Sequence, residues 1–129
     1  MREIIFRGKS KSINKGEWIY GSFVEDTDLN ACCIRDKSLV YELVDRETVG
    51  QYTGLTDKNG KKIFEGDIVK VTTGIEGYKS TYHSAIQEVK YNAESGIAVF
   101  LPFDNSDMVE VEIIGNLYDN PKLLRSENG

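Results

Sequence analysis

The stretch LTDKNGKKIF, residues 55–64, is the part of the sequence that decides the fold. Asn59-Gly60 stands between charged residues and β-prone ones, and both central positions of a type I′ turn need a positive φ, which Asn and Gly adopt at low cost. The stretch therefore predicts a β-hairpin with its turn at these two residues. Gly66-Asp67 then predicts a bend into another strand, as the corners of small barrels require.

Toward the C-terminus the apolar residues recur with a period of two. This spacing predicts strands over 84–92, 97–103 and 109–115, with a long connection over 72–83 and turns at 93–96 and 104–107. In the last strand, apolar residues facing inward alternate with acids facing water. These residues are Val109, Glu110, Val111, Glu112 and Ile113. Beyond it, Asn120-Pro121 predicts a short helical turn that Asn120 caps and that docks through Leu123 and Leu124.

Toward the N-terminus, residues 2–7 and 17–24 read as two strands of a hairpin, joined by turn residues at 13–16. Residues 25–38 are acidic and polar, so either a loop or a poorly formed strand is expected there. Residues 39–44 (LVYELV) are apolar enough for a strand or for one helical turn, and their length and β-branched content favour the strand.

Strands joined by short turns at this spacing predict a mainly β protein with little helix. We expect a small, partly open antiparallel β-barrel, SH3-like or related, that carries an N-terminal β-hairpin arm. The predicted domains are an N-terminal hairpin and acidic arm over 1–47 and a C-terminal barrel-like domain over 48–129. One domain with a real core fits a chain of 129 residues.

Composition and cysteine usage favour a cytoplasmic protein. The first eleven residues contain no apolar stretch long enough for a signal peptide or a membrane span. Cys32 and Cys33 are adjacent, and a disulfide between neighbours is strained, so two reduced thiols packed on or near a strand are expected.

The charge is uneven along the chain. The net charge is −5, which disfavours broad binding to a phosphate backbone. Residues 1–20 nevertheless hold five basic groups against two acids, whereas residues 21–50 hold seven acids against three bases. A solvated edge strand guarded by Lys and Arg is the favoured interpretation of this pattern, and self-association or binding of a charged partner is the alternative.

No catalytic constellation is visible, and we expect no enzyme, no metal and no cofactor. The one histidine, His83, excludes multi-histidine metal sites. A thiol dyad of His83 with a cysteine is the weaker alternative to a surface histidine. Asp57, Glu65 and Asp67 suggest a metal site, but their spacing does not fit an EF-hand. The structural alternative is that Asp57 caps the turn and Asp67 holds backbone N–H groups at the corner.

Aromatic and basic residues supply the candidate contact positions. A strand face that presents several aromatic rings resembles a base-stacking platform, although core packing explains most such rings. The candidates for contact with a partner or with nucleic acid are Arg7, Lys9, Lys11, Trp18, Tyr20 and Tyr52.

The run TVGQYTGLTDKNGKKIFEGDIV, residues 48–69, resembles the signature of the YopX family of phage and prophage proteins. FRGK at 6–9, WIYG at 18–21 and IGNLYDNPKLL at 114–124 fit the same pattern, with Lys122 as a departure from it. The resemblance implies a β-rich fold with a distinct C-terminal domain, a phage or prophage origin and an accessory role. It carries over no catalytic residue.

Two functional hypotheses follow. The first is a non-enzymatic protein-interaction or assembly module that forms a homo-oligomer or binds a phage or host protein. The alternative is a small-barrel nucleic-acid-binding protein that uses the basic residues 1–20 and the strand aromatics. No membrane association is expected.

Overall fold

The computed structural model of the chain describes residues 4–92, 97–100 and 108–124. Ten strands and two short 3₁₀ turns, η1 and η2, lie within these residues, and residues 122–124 are helical. The elements are β1 (Phe6–Lys9), β2 (Trp18–Asp26), β3 (Ala31–Arg35), β4 (Tyr41–Leu43), η1 (Arg46–Thr48), β5 (Gly50–Thr56), β6 (Lys62–Phe64), β7 (Asp67–Thr73), η2 (Lys79–Thr81), β8 (His83–Asn92), β9 (Ile97–Phe100) and β10 (Met108–Asn116).

The strands form two antiparallel sheets, so the prediction of a mainly β fold with little helix is confirmed. One sheet has the order β4-β3-β2-β1-β5-β6 and the other the order β10-β7-β8-β9. Both are open, and in the described part of the chain neither closes into a barrel. The small barrel expected from the strand spacing thus takes the form of two open sheets. An isolated bridge between Ser10 and Val44 joins the end of β4 to the chain just after β1.

The chain divides into two compact units, Met1–Tyr52 and Thr53–Gly129. The division falls inside β5, whose first residues pair with β1 through Gly50 and Gln51.

In the N-terminal unit the predicted hairpin is confirmed, with Phe6 to Lys9 paired to Gly21 to Trp18. Residues 31–35, for which a loop or a poorly formed strand was expected, form β3. The strand forms because Cys32 and Ile34 point into a core that compensates for the polar flanks. This core comprises Cys32, Ile34 and Val44, with Phe6, Ile19, Phe23 and Val49 against them.

Gly21 allows β2 to change partner. The strand pairs with β1 up to Gly21 and with β3 from Ser22 onward. A Cβ atom at position 21 would lie 2.1 Å from the carbonyl oxygen of Arg35. Only glycine permits this close approach, which lets β2 pass from one partner strand to the next.

In the C-terminal unit β7 is central, between β10 and β8. The core consists of Ile63, Val69, Val71, Val89 and Val111, with Ile113 packed against it. The predicted alternation in β10 is confirmed, since Val111 is buried and Glu110 is exposed. Strands β8, β9 and β10 form where strands were expected, whereas residues 101–103 and the predicted turns at 93–96 and 104–107 lie outside the described residues.

The hairpin predicted at 55–64 forms, but its turn is not of type I′. Asn59 keeps a negative φ, and Gly60 alone of the two has a positive one, +81°. The N–H of Gly60 donates to the carbonyl of Asp57, which makes a type I turn followed by a left-handed glycine. The Asp57 side chain favours this turn because its Oδ1 accepts hydrogen bonds from the N–H groups of Asn59 and Lys61.

The predicted helical turn forms at 122–124, but Asn120 does not cap it as expected. The Asn120 side-chain oxygen accepts a hydrogen bond from the N–H of Asn116 instead, while its backbone carbonyl accepts one from Leu123. Leu123 does dock on the sheet, directly against Gly115 of β10.

Candidate binding surface on the N-terminal sheet

The side chains of the N-terminal sheet that face away from its core form one surface, here called the outer face. Residues opposite each other in neighbouring strands share a face. Arg7 lies opposite Tyr20 and Lys9 opposite Trp18, while Arg35 lies between Ser22 and Tyr41. Cys33 and its partner Leu43 are on the same side. The main residues of the outer face are Arg7, Lys9, Trp18, Tyr20, Arg35, Tyr41 and Leu43.

The register brings four of the six candidate contact residues together around Trp18. The guanidinium carbon of Arg7 lies 4.3 Å from the centroid of the indole ring, and the Lys9 Nζ lies 5.5 Å from it. Cation–π contacts at these distances stabilise the hairpin. Arg7 is only 6% exposed, whereas Tyr20 is 48% exposed. Trp18 is therefore engaged with cations of its own sheet, and Tyr20 is an exposed aromatic ring of this group.

The other two candidates lie elsewhere. Tyr52 is buried at the end of the N-terminal unit, and its N–H donates to the carbonyl of Ile5. Lys11 is exposed, and its backbone N–H donates to the carbonyl of Leu43. Lys11 thus lies beside the end of β4 rather than in the Trp18 group.

A second set of residues on this unit, missed by the sequence reasoning, is more exposed. Leu39 is 67%, Val40 43%, Tyr41 54% and Leu43 43% exposed. These residues surround and include β4, and we call residues 39–43 the apolar segment. The signal in the sequence was the run LVYELV, which predicted a strand without indicating that most of its apolar side chains stay in water.

The backbone at Leu39 is unusual. Its φ is +63°, a left-handed conformation that costs most residues other than Gly and Asn about 1 kcal/mol. Asp36 imposes it: its Oδ1 accepts hydrogen bonds from the N–H groups of Ser38 and Val40, and its carbonyl accepts one from Leu39. Leu39 therefore adopts a backbone conformation that leucine disfavours, at an exposed hairpin tip where its side chain adds nothing to the core.

The other end of the apolar segment is fixed by Glu42, which points to the opposite side and is buried. Its carboxylate accepts hydrogen bonds from the backbone N–H and the side-chain amide of Asn14. A hydrogen bond from the Ser10 hydroxyl lowers the pKa of Glu42, and the two Asn14 bonds lower it further. Burial of the carboxylate raises the pKa, but the hydrogen bonds outweigh this effect. Because the hydrogen bonds of Asp36 and Glu42 fix the backbone of the apolar segment, a ligand that bound there would cost little conformational entropy of the segment.

The side chains that suggested catalysis or metal binding have other surroundings. The Sγ of Cys32 donates to the carbonyl of Val44, and burial raises the pKa of this thiol, which keeps it protonated. Cys33 is half-buried, and His83 is exposed at the start of β8. Asp57 caps its turn as predicted, and Asp67 Oδ2 accepts a hydrogen bond from the N–H of Phe64.

Metal-binding clusters and membrane-spanning helices are both absent from the described residues. Within residues 4–92, 97–100 and 108–124, no cluster of three or more His, Cys, Asp or Glu side chains is arranged to hold a metal ion. No helix in these ranges has the length and apolar character needed to cross a membrane.

Comparison with known proteins identifies a family and a solved structure with a similar fold. The family model described as YopX protein matches residues 5–125. The crystal structure of protein EF1440 from Enterococcus faecalis is similar, with a TM-score of 0.59 and 24% sequence identity, over 96% of this chain and 99% of that one. At this identity the likeness shows the fold alone. No curated protein matches the chain.

Proposed function

Because this chain belongs to the YopX family, we propose that it is a non-enzymatic protein-interaction module that uses the apolar segment as its contact surface. The observation that carries the proposal is the exposure of four apolar side chains within five residues, Leu39 to Leu43. Scattered exposed apolar residues are ordinary, but contiguous ones mark contact surfaces.

The arrangement around the segment supports a protein ligand. Tyr41 and Leu43 extend from the outer face, beside the half-buried Arg35 and Cys33. Protein interfaces have an apolar and aromatic centre with Arg nearby and a polar rim. Glu42 and Asp36 fix the backbone of the apolar segment through their hydrogen bonds, and a contact surface that is rigid before binding loses less entropy when a partner binds.

Photo-crosslinking tests this proposal. We would replace Tyr41 with the photoreactive p-benzoyl-phenylalanine and irradiate cells that express the full chain. The matched control carries the same group at Lys15, an exposed residue in the turn at 13–16 of the same unit. The expected result is an adduct of defined mass, with a protein, from position 41 and none from position 15. The absence of adducts from positions 39, 41 and 43 alike would overturn the proposal.

The family membership also motivates a biological setting. We propose an accessory role during phage infection or lysogeny, in the host cytoplasm, with self-association or binding of a phage or host protein. This setting predicts that synthesis of the protein rises when a prophage is induced or a phage infects. Constant synthesis through both events would contradict it.

A second candidate function, nucleic-acid binding, is favoured by the collection of Arg7, Lys9, Trp18 and Tyr20 on one face. Aromatic rings beside cations form the platforms on which single strands stack. Its weakness is that Arg7 is buried against the Trp18 ring. The test is fluorescence anisotropy of a labelled 20-nucleotide oligothymidylate at low and high salt. Binding that falls with salt and with Lys9→Glu supports it, and its absence at low salt removes it.

A further inference from the structure

We propose that Asn59-Gly60 is a site of spontaneous covalent modification, at which Asn59 is converted to isoaspartate when the turn at 57–60 opens, and that Asp57 controls the rate. The reaction does not depend on the proposed function. Asn59 is the one asparagine of the sequence that a glycine follows. Glycine has no Cβ, so its nitrogen is the backbone nucleophile with the least hindrance toward the side-chain amide before it.

Burial does not protect this pair of residues. Asn59 and Gly60 are both exposed. A Cβ atom built at position 60 would meet nothing within 4 Å, so the surroundings leave room for the Asn59 side chain to swing and for water to enter. Protection of Asn59 must therefore come from the backbone conformation and the hydrogen bonds of the turn.

The reaction consumes one water molecule and releases one ammonia molecule. Hydroxide removes the proton of the Gly60 N–H, and the nitrogen then bonds to the side-chain carbonyl carbon, Cγ, of Asn59. The amide nitrogen takes a proton from water and leaves as ammonia, which completes a five-membered succinimide. Water then opens the ring at one of its two carbonyls. Opening at Cγ gives aspartate, and opening at the backbone carbonyl carbon gives isoaspartate, whose chain continues through Cγ.

The closed turn keeps the Gly60 nitrogen away from Cγ of Asn59. The Gly60 N–H donates to the carbonyl of Asp57 at 2.9 Å, so the proton that must leave is engaged. In a type I turn the ψ of the third residue is about 0°, which eclipses the next nitrogen with that residue's own nitrogen. Ring closure requires the next nitrogen to eclipse Cβ instead. Asn59 must therefore rotate about its Cα–C bond, which breaks the hydrogen bond and opens the turn.

Asp57 makes this opening costly. Its Oδ1 accepts hydrogen bonds from the N–H groups of Asn59 at 2.9 Å and Lys61 at 3.0 Å, on both sides of the reacting nitrogen. Its Oδ2 accepts one from Ile113 of β10. Hydrogen bonds to a carboxylate are stronger than those to neutral acceptors. Because a local opening has a free energy of its own, the rate of conversion should follow the opening of this turn.

Isoaspartate at position 59 would prevent the turn from closing again. It adds one carbon to the backbone inside the turn and places a new carboxylate two residues from Asp57, where like charges disfavour each other. The bonds from Lys58 to Val111 and from Ile113 to Asp57 both depend on the shape of this turn. The modified chain should therefore be less stable than the unmodified one.

Incubation of the full chain at mildly alkaline pH, folded in buffer or unfolded in guanidinium chloride, tests the site. Cleavage after glutamate, in mild acid, releases residues 48–65 for mass spectrometry. A purified isoaspartyl methyltransferase with labelled S-adenosylmethionine counts the isoaspartate. The unfolded chain should be converted at least about tenfold faster than the folded chain. Asn59→Gln, which can close only a larger ring, is the matched control and should lose most of the signal.

Asp57→Ser tests the control by Asp57, since a hydroxyl replaces the carboxylate. The variant should be converted at least about fivefold faster than the wild type. Hydrogen exchange at Gly60 should accelerate with it, and by more than exchange at Val71 in the centre of β7, which reports global unfolding. In the wild type, below the unfolding transition, the conversion rate should likewise follow exchange at Gly60 and not at Val71. Glu110→Ala keeps Asp57 and should behave like the wild type.

Three results would overturn the proposal. An unfolded chain that forms no isoaspartate at position 59 removes the site. A folded wild type that is converted as fast as the unfolded chain shows that the turn does not protect Asn59. Conversion in folded Asp57→Ser at the wild-type rate, or conversion in the wild type that follows exchange at Val71, removes the control by Asp57.

Discussion

The carboxylate of Asp57 accepts a hydrogen bond from the backbone N–H of Ile113 at 3.0 Å, across 56 residues of chain. Its other oxygen accepts from Asn59 and Lys61, and the N–H of Lys58 donates to the carbonyl of Val111. One buried carboxylate therefore shapes the 57–60 turn and ties it to β10. The hairpin at 55–64, which decided the fold prediction, thus helps to stabilise the C-terminal unit.

Replacing this carboxylate should destabilise the protein strongly. Asp57→Ala leaves three backbone N–H groups without their charged acceptor, which should lower the free energy of unfolding by about 2–4 kcal/mol. Urea denaturation measures the change. Glu110→Ala, which removes an exposed acid paired with Lys58 in the same region, is the control and should have little effect. Equal effects of the two substitutions would contradict the assignment.

Asp57 should also make stability depend on pH in acid. Burial raises the pKa of this carboxyl, but the bonds from Ile113, Lys61 and Asn59 outweigh it, so the pKa lies below its usual range. Its contribution is therefore complete above the ordinary pKa of about 4 and is lost as the pH falls through the lower, folded value. The stability difference between wild type and Asp57→Asn should be constant near neutral pH and shrink in acid. A constant difference down to pH 2 would contradict this prediction.

Leu39→Gly should be more stable than a matched glycine substitution elsewhere. Glycine removes the strain of the left-handed backbone at φ +63°, which offsets by about 1 kcal/mol the free energy of unfolding that glycine loses through its larger unfolded-state entropy. Leu29→Gly is the matched control, since Leu29 is just as exposed but has no positive φ. Thermal denaturation at a concentration where the chain is monomeric measures both. Leu39→Gly should retain about 1 kcal/mol more stability than Leu29→Gly, and an equal loss of stability in the two variants would show that Leu39 is not strained.

Glu42→Gln should loosen the turn that follows β1. The carboxylate holds the N–H of Asn14, and a neutral amide is a weaker acceptor. Amide hydrogen exchange at Asn14 should therefore be faster in the variant than in the wild type at the same pH. Exchange at Gly60, in the C-terminal unit, is the internal control and should not change. Because the pKa of Glu42 is lowered, the wild-type protection should also fall as the pH drops into the acidic range.

The elements that the sequence predicted are those set by neighbouring residues. The 55–64 hairpin, the strand alternation of β10 and the capping role of Asp57 depend on residues within a few positions of each other, so local turn chemistry and period two were sufficient. Strand β3 was uncertain because its flanks are polar, and only the core around Ile34 stabilises it. The turn type at Asn59-Gly60 was wrong because the Asp57 side chain favours a different one.

The candidate binding surface was also predictable only in part from the sequence. Alternation in β1 and β2 placed Trp18 and Tyr20 on one side of the sheet, but only the strand register put Arg7 over the Trp18 ring. The run at 39–44 predicted a strand, and only the folded chain left Leu39, Tyr41 and Leu43 in water. Period two determines which residues share a face, whereas the packing of distant segments decides which face is covered. The sequence by itself therefore determined the β architecture and the positions of its turns, and the tertiary structure decided which apolar residues form the core and which stay exposed to water.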